Sequence, residues 1–158
     1  MPADLLKMLL KLDGIKADPI PMMDKDDRLP FLTEVLRRIE TAKTLSDWTD
    51  VEVAIAVNLA EKDIDLALVS LFTGSQEFVK KHAYSLVDES GRVLAKKMLG
   101  EDIGILAKLQ KNGHWTVKLT WVGGEVTCPS QRHFNIPQSI LWCVISALIV
   151  EARKDGAS

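Results

Sequence analysis

Residues 46–72 contain neither glycine nor proline, and they constrain the fold more than any other part of the chain. Thr49, with Glu52 three residues later, matches a capping box, and Gly74 is a stop signal, so one central helix is predicted between them. Apolar side chains fall on two sides of this helix, which therefore needs packing partners on both sides. The helix is either the core of one domain or a core helix that also contacts a second copy of the chain. The side chains predicted for that subunit contact are Ile55, Leu59 and Leu66.

The residues before the central helix predict two further helices and a connector. A leucine-rich helix is expected at residues 3–13. An extended connector is expected at residues 15–29, where two prolines and a charge cluster interrupt any period. Pro30 suits the first turn of a second helix at residues 31–43, whose apolar side chains recur at helical spacing. Residues 1–74 are therefore predicted to form a helical layer.

The pattern changes after the central helix. Residues 83–87 and 92–96 flank a loop that contains glycine, and this arrangement predicts a β-hairpin. Residues 102–111 predict a short helix, because their apolar side chains share one helical face. Asn112-Gly113 is expected to mark the end of that helix.

The clearest strand in the sequence covers residues 114–122, where apolar and polar side chains alternate. A Gly123-Gly124 turn leads to a partner strand at residues 125–128, and Pro137 suits the first turn of a last, strongly apolar helix. The predicted order is ααα-ββαββα. The predicted fold class is α+β, a single domain in which N-terminal helices pack on a small, mainly antiparallel sheet layer formed by residues 75–158.

Composition limits the class of protein. A chain of 158 residues with 47% hydrophobic and 27% charged residues is typical of one globular domain. Two cysteines are too few for a disulfide framework and indicate a reducing cytoplasm. The apolar segment 140–150 is about half the length needed to span a bilayer. The charged residues within the first helix argue against a signal peptide. We therefore expect a cytoplasmic protein with no membrane contact.

The sequence offers little support for catalysis. Cys128 and His133 lack the paired spacing of structural zinc sites, and Cys143 lies on an apolar helix. Cys128 could act as a nucleophile with His114 or His133 as its base, but a cysteine at the end of a strand is more often a small buried side chain. Phosphate-binding loops and hydrolase motifs are absent from the sequence. No catalytic residue, metal site, cofactor or small-molecule substrate is therefore predicted.

Basic side chains near the predicted hairpin are the candidate nucleic-acid contacts. They could form a rim for phosphate binding, although such an imbalance of charge is more often solvated surface. Trp115 and Trp121 could stack on bases, but they share a strand face with other apolar residues, which favours the core. The residues predicted to contact nucleic acid are Lys80, Lys81, Arg92, Lys96 and Lys97.

Two stretches resemble known phage proteins. The run WTDVEVAIAVNLAEKDI at residues 48–64 and the run DESGRVLAKKML at residues 88–99 resemble small terminase subunits of tailed bacteriophages, in which a similar run opens a long oligomerisation helix. Residues 106–148 are similar to small α-β-β-α sandwich domains of uncharacterised phage proteins. Both resemblances imply a phage or prophage protein that acts inside a bacterial host.

Two functions are consistent with these features, and both are non-enzymatic. The first is an oligomeric DNA-packaging or nucleoprotein component that contacts itself and DNA. The second is an accessory protein that binds and inhibits a host protein, such as a defence system. Binding to DNA that weakens steeply with salt would indicate the first, and a stoichiometric protein complex would indicate the second.

Overall fold

The computed structural model describes residues 28–60, 83–129 and 134–156. The chain divides into two compact units, residues 1–83 and residues 84–158. The described residues form helices and one three-stranded antiparallel sheet, so the α+β class is confirmed. The predicted helix at residues 3–13, most of the connector and the second half of the central helix lie outside the described residues. The single domain and the packing of the N-terminal helices on the sheet stay predictions.

The described part of the first unit contains two helices. Helix α1 spans Arg28–Thr41 and packs against α2, Leu45–Ile55, which continues into a π-helical turn at Ala56–Ala60. Helix α1 begins earlier than predicted, so the last two connector residues are helical, while Pro30 does lie in the first turn. Its buried side chains recur at helical spacing, as predicted for a core-facing stripe. They are Phe31, Leu32, Val35 and Ile39.

The start of α2 differs from the prediction. The N-cap is Thr44, five residues before the predicted cap at Thr49, and it forms a capping box with Asp47. The Thr44 hydroxyl accepts from the Asp47 N–H at 3.1 Å, and the Asp47 carboxylate accepts from the Thr44 N–H at 3.1 Å. The earlier box prevails because it adds a full turn of helix, and that turn brings Trp48 into the core.

The second unit contains two helices and the sheet. Helix α3 spans Asp88–Leu99, and the sheet consists of β1 (Gly104–Leu109), β2 (Trp115–Trp121) and β3 (Gly124–Cys128) in that spatial order. Helix α4 follows at Ile136–Gly156. Both strand pairs are antiparallel. The prediction was right for β2, β3 and α4.

Helix α4 forms the core of this unit because it packs on β2, β3 and α3. Val117, Leu119 and Trp121 of β2 are buried at alternate positions, as the strand pattern predicts, whereas Trp115, which was also predicted for the core, is 36% exposed. The Cys143 thiol of α4 donates to the Val117 carbonyl of β2 at 3.4 Å, which shows how closely helix and sheet approach. On the opposite face of the sheet, Lys118 and Glu125 form an exposed ion pair with a distance of 3.0 Å. One face of the sheet is thus core and the other is polar.

The predicted hairpin at residues 83–96 is wrong, because its loop and second strand lie within α3. Acidic side chains occupy the first turn of this helix and basic side chains the last, which is the charge order that the helix dipole favours. Gly91, read as a loop residue, instead faces α4. A Cβ atom at Gly91 would lie 2.8 Å from the Ile140 Cγ2 atom, so glycine allows close packing of the two helices.

The predicted helix at residues 102–111 is also wrong, because these residues contain β1. Asn112-Gly113 belongs to the β1–β2 hairpin, where Gly113 has a φ of 84° and the His114 N–H donates to the Asn112 Oδ1 at 3.0 Å. Leu106 and Leu109, predicted to share one helical face, are 64% and 56% exposed. Pairing with β2 outweighs the helical spacing, since it joins β1 to a strand whose alternate side chains lie in the core.

Helix α4 is capped by Asn135 and Gln138, whose side chains accept from each other's backbone N–H groups at 2.7 and 3.1 Å. It is the one described helix that is long and apolar enough to cross a membrane, over Ile136–Lys154, and 56% of that window is buried inside the structure. The helix is thus longer than residues 140–150, whose short length argued against a membrane span. Its contacts with β2, β3 and α3 are those of a core helix.

Candidate functional site

A groove lies between α3 and the start of β1 in the second unit. Its volume is about 270 Å³. It combines one acidic, two basic and three apolar side chains, and we call it the α3–β1 groove. Its lining residues are Glu89, Arg92, Val93, Lys96, Ile103 and Ile105.

Helical spacing places the four α3 residues of the groove on one side of the helix. Glu89 and Arg92 are three residues apart, as are Val93 and Lys96, and residues at this spacing are neighbours on one side of a helix. The opposite side of α3 is buried and carries Gly91 and Leu94. Because that side faces the core, the groove side is turned outward. Lys96 is exposed and Arg92 is half-buried.

Strand β1 lies at an edge of the sheet and pairs with β2 alone among the described strands. The Gln110 N–H donates to the His114 carbonyl at 2.8 Å, which marks these two residues as a hydrogen-bonded pair. In an antiparallel ladder such pairs alternate, so every second residue of β1 counted back from Gln110 turns toward β2. The backbone N–H and C=O groups of the residues between them therefore point away from the sheet. These residues are Ile105, Ala107 and Leu109.

Large apolar side chains are exposed next to this edge. Leu106 is 64% exposed, Leu109 56% and Val93 49%, and Trp115 is 36% exposed opposite Leu109. An edge strand surrounded by exposed apolar side chains is a common place for another chain to bind. Lys108 is the one charged residue of β1.

The predicted nucleic-acid contacts are only partly brought together. Arg92 and Lys96 line the α3–β1 groove, and Lys97 is exposed on the same helix. They lie on a helix rather than on a hairpin, while Lys80 and Lys81 lie outside the described residues. Sequence reasoning missed the strand edge in this groove, because the apolar residues of β1 also fit a helical period. The binding of nucleic acid by the basic residues stays a prediction.

The residues predicted for the subunit contact belong to the first unit. Ile55 ends α2 and Leu59 lies in the π-helical turn, and both side chains are buried within the single chain. Leu66 lies outside the part of the chain that the structure describes. Burial leaves little of Ile55 and Leu59 for a second subunit to contact. The oligomer therefore stays a prediction, and these two positions offer it no exposed surface.

Trp121 has a structural role, in agreement with the preference for the core. Its Nε1–H donates to the Glu151 carboxylate of α4 at 2.7 Å, and this bond, with a second from Lys154, holds the pKa of Glu151 below its usual value. Lys154 also donates to the Gly123 carbonyl at 2.6 Å. These bonds fasten the end of α4 to the β2–β3 turn and leave Trp121 unavailable for stacking on a base.

The two cysteines are buried in the core of the second unit. Burial raises the pKa of the Cys143 thiol to about 12, so its thiolate is disfavoured. Cys128 is fully buried at the end of β3, as expected for a small apolar side chain. Within residues 28–60, 83–129 and 134–156, the His, Cys, Asp and Glu side chains form no cluster suited to a metal ion.

A second, smaller cleft of about 170 Å³ lies at the α1–α2 connection of the first unit. Hydrogen bonds from Arg37 and Arg38, at 2.7 and 2.9 Å, lower the pKa of Glu34 to about 2. Asp47, which also lines the cleft, is used by the α2 cap. The cleft is therefore a by-product of helix capping and surface ion pairs rather than a binding site. Its lining residues are Arg37, Arg38, Thr41, Ala42, Asp47 and Asp50.

No known protein family, curated protein or solved structure matches this chain.

Proposed function

We propose that this chain is a non-enzymatic phage or prophage protein that binds another protein inside a bacterial host. The observation that carries the proposal is the edge of β1 that pairs with no other described strand, where outward backbone groups lie beside exposed apolar side chains. A partner chain can pair with those backbone groups while burying the apolar surface. In this proposal the partner is a host protein, and the binding inhibits it.

The mixture of side chains in the α3–β1 groove favours a protein partner over a nucleic acid. Binding to nucleic acid depends on several cations that contact successive phosphates, and carboxylates close to those cations oppose it. Here Val93 lies beside the two cations, and Glu89 lies one turn before Arg92. Protein interfaces, in contrast, combine an apolar centre with arginine and a charged rim. The groove has that composition.

A nucleoprotein component, with DNA and a second copy of the chain as partners, is the second candidate function. It is favoured by the basic end of α3, where Lys96 and Lys97 are adjacent and exposed. If this end binds phosphate, the double change Lys96→Glu with Lys97→Glu weakens binding to all duplex sequences and flattens the dependence on salt.

Affinity purification from a bacterial lysate, with and without nuclease, separates the two functions. The proposal expects a stoichiometric protein complex that survives nuclease. Leu109→Lys should weaken that complex by placing a charge in the apolar surface at β1. Thr127→Lys is the matched control, because it adds the same charge at the opposite edge of the sheet. Loss of all bound material after nuclease would reject the proposal and favour the second candidate.

A further inference from the structure

We propose that the α3–β1 groove binds an extended, acidic segment of the partner protein, which adds to β1 as a fourth strand of the sheet. This inference rests on the proposed function, because it specifies how a protein partner would be recognised. Three features of the second unit carry it: the backbone groups of the strand edge, the wall formed by α3, and the arrangement of charges along that wall.

The backbone of β1 provides a ladder for one more strand. The outward groups of Ile105, Ala107 and Leu109 are spaced two residues apart, which is the repeat of hydrogen bonding between strands. A strand that pairs with them extends the sheet from three to four strands without moving β2 or β3. Such pairing does not depend on the side chains of the partner, so it supplies affinity for any extended segment.

The wall formed by α3 supplies the selectivity. Side chains of a strand alternate between the two faces of a sheet, so every second residue of an added strand faces the groove. On that side the strand meets Val93 and Ile105, which are apolar, and Arg92 and Lys96, which are cations. A segment with apolar and acidic side chains at these positions is complementary to the groove.

The charges also determine where the acidic side chains of the added strand lie along the groove. Glu89 and Lys96 are seven residues apart on α3, a distance of about 10 Å along the helix axis. That distance corresponds to about three residues of a strand. The acidic side chains of the partner therefore belong at the Lys96 end of the groove, and an acidic side chain near Glu89 is disfavoured.

A second copy of β1 fits this groove less well than an acidic segment. The sequence of β1 contains a lysine and no acidic residue, so a second β1 would bring no carboxylate to Arg92 and Lys96. A nucleic acid would leave the outward N–H and C=O groups without the regular partners that a strand provides. The chemistry of the groove therefore selects an acidic peptide.

Binding of two labelled octapeptides to the full chain tests the inference. One peptide has valine, valine, glutamate and glutamate at alternate positions with threonine between them, so that one face carries both apolar and acidic side chains. The other peptide has lysine in place of each glutamate. The acidic peptide should bind more tightly. Ala107→Pro should weaken its binding about tenfold, because proline removes an outward N–H group while edge strands tolerate it. Ala107→Ser is the matched control, since it keeps that N–H group, and its affinity should stay within about twofold of the wild type.

Charge reversal provides a test that does not depend on how well the proline variant folds. Lys96→Glu should weaken binding of the acidic peptide about fivefold and improve binding of the basic peptide. Lys108→Glu is the control, because Lys108 lies on the sheet face opposite to Ile105, and its effect should be smaller. Equal binding of both peptides, or equal effects of the two reversals, would overturn the inference.

Amide hydrogen exchange locates the added strand. The acidic peptide should slow exchange at Ile105, Ala107 and Leu109, and leave Glu125 and Thr127 on the other edge unchanged. Slow exchange at the first three amides in the free protein, together with a dimer in solution, would overturn the inference in favour of a second copy. A nuclease-resistant complex that Ala107→Pro and Lys96→Glu both leave intact would overturn strand addition while leaving the proposed function standing.

Discussion

Gly91 decides the distance between α3 and α4. Glycine inside a helix is unfavourable by up to about 1 kcal/mol relative to alanine, so its presence needs a compensating contact. That contact is Ile140, whose Cγ2 atom would lie 2.8 Å from a Cβ atom at Gly91. Ile140 is branched at its own Cβ and is buried, so it has little freedom to move aside. A residue read from sequence as part of a turn is thus a packing residue.

The first prediction concerns this contact. Gly91→Ala should destabilise the protein by about 1 kcal/mol, because the cost of overpacking exceeds the gain in helix propensity. Ile140→Leu removes the Cγ2 methyl group, so Gly91→Ala should cost less in that background. Denaturant midpoints of the two single variants and the double variant measure the coupling. Additive effects would show that the two residues do not constrain each other.

At the scale of elements, the two errors of prediction have one cause. Apolar residues three residues apart in 103–109 fit a helix, and polar residues around Gly91 fit a loop, when each segment is considered alone. In the structure, β1 is held by β2 and α3 is held by α4. Both segments therefore take the conformation that their neighbours favour, which a local pattern does not contain.

The second prediction concerns the start of α2. Thr44→Ala should destabilise the first unit by about 1 kcal/mol, because it removes the hydroxyl that accepts from the Asp47 N–H. Thr49→Ala should have a much smaller effect or a stabilising one, since Thr49 lies inside the helix, where alanine is preferred. Helical circular dichroism during denaturation measures both. The opposite order of effects would place the cap at Thr49, as the sequence alone predicts.

At the scale of the whole molecule, the chain divides between Ala83 and Tyr84 into two compact units. The second unit contains its own core, because α4 packs on two strands and on α3. The hydrogen bond that joins α4 to β2 also lies inside this unit, since it links the Trp121 and Glu151 side chains. The α3–β1 groove lies wholly within the same part of the chain.

The third prediction is that residues 84–158 fold without the rest of the chain. The fragment should unfold in one cooperative transition and retain a near-ultraviolet signal from Trp121, because the contacts of that side chain stay in place. The full chain at the same temperature is the control. A fragment without a cooperative transition would support the single domain that the sequence predicts.

The sequence by itself determined the elements whose pattern is strong over their whole length. Strand β2 follows from its strict alternation, and α4 follows from its apolar face and from Pro137 in its first turn. These patterns repeat at the period of one kind of structure only, so neighbours did not need to be known. The α+β class and the exposure of Lys96 also follow from the sequence alone.

The tertiary structure alone decided the identity of α3, the strand β1 and the site between them. The outward direction of the Ala107 N–H group depends on the register of β1 against β2, which is a contact between distant residues. Helix α3 packs on α4, which is far along the chain, and Gly91 lies where Ile140 leaves no room for a Cβ atom. A groove formed from two elements cannot be predicted when the type of each element depends on its partner, because a single sequence window contains only half of each contact.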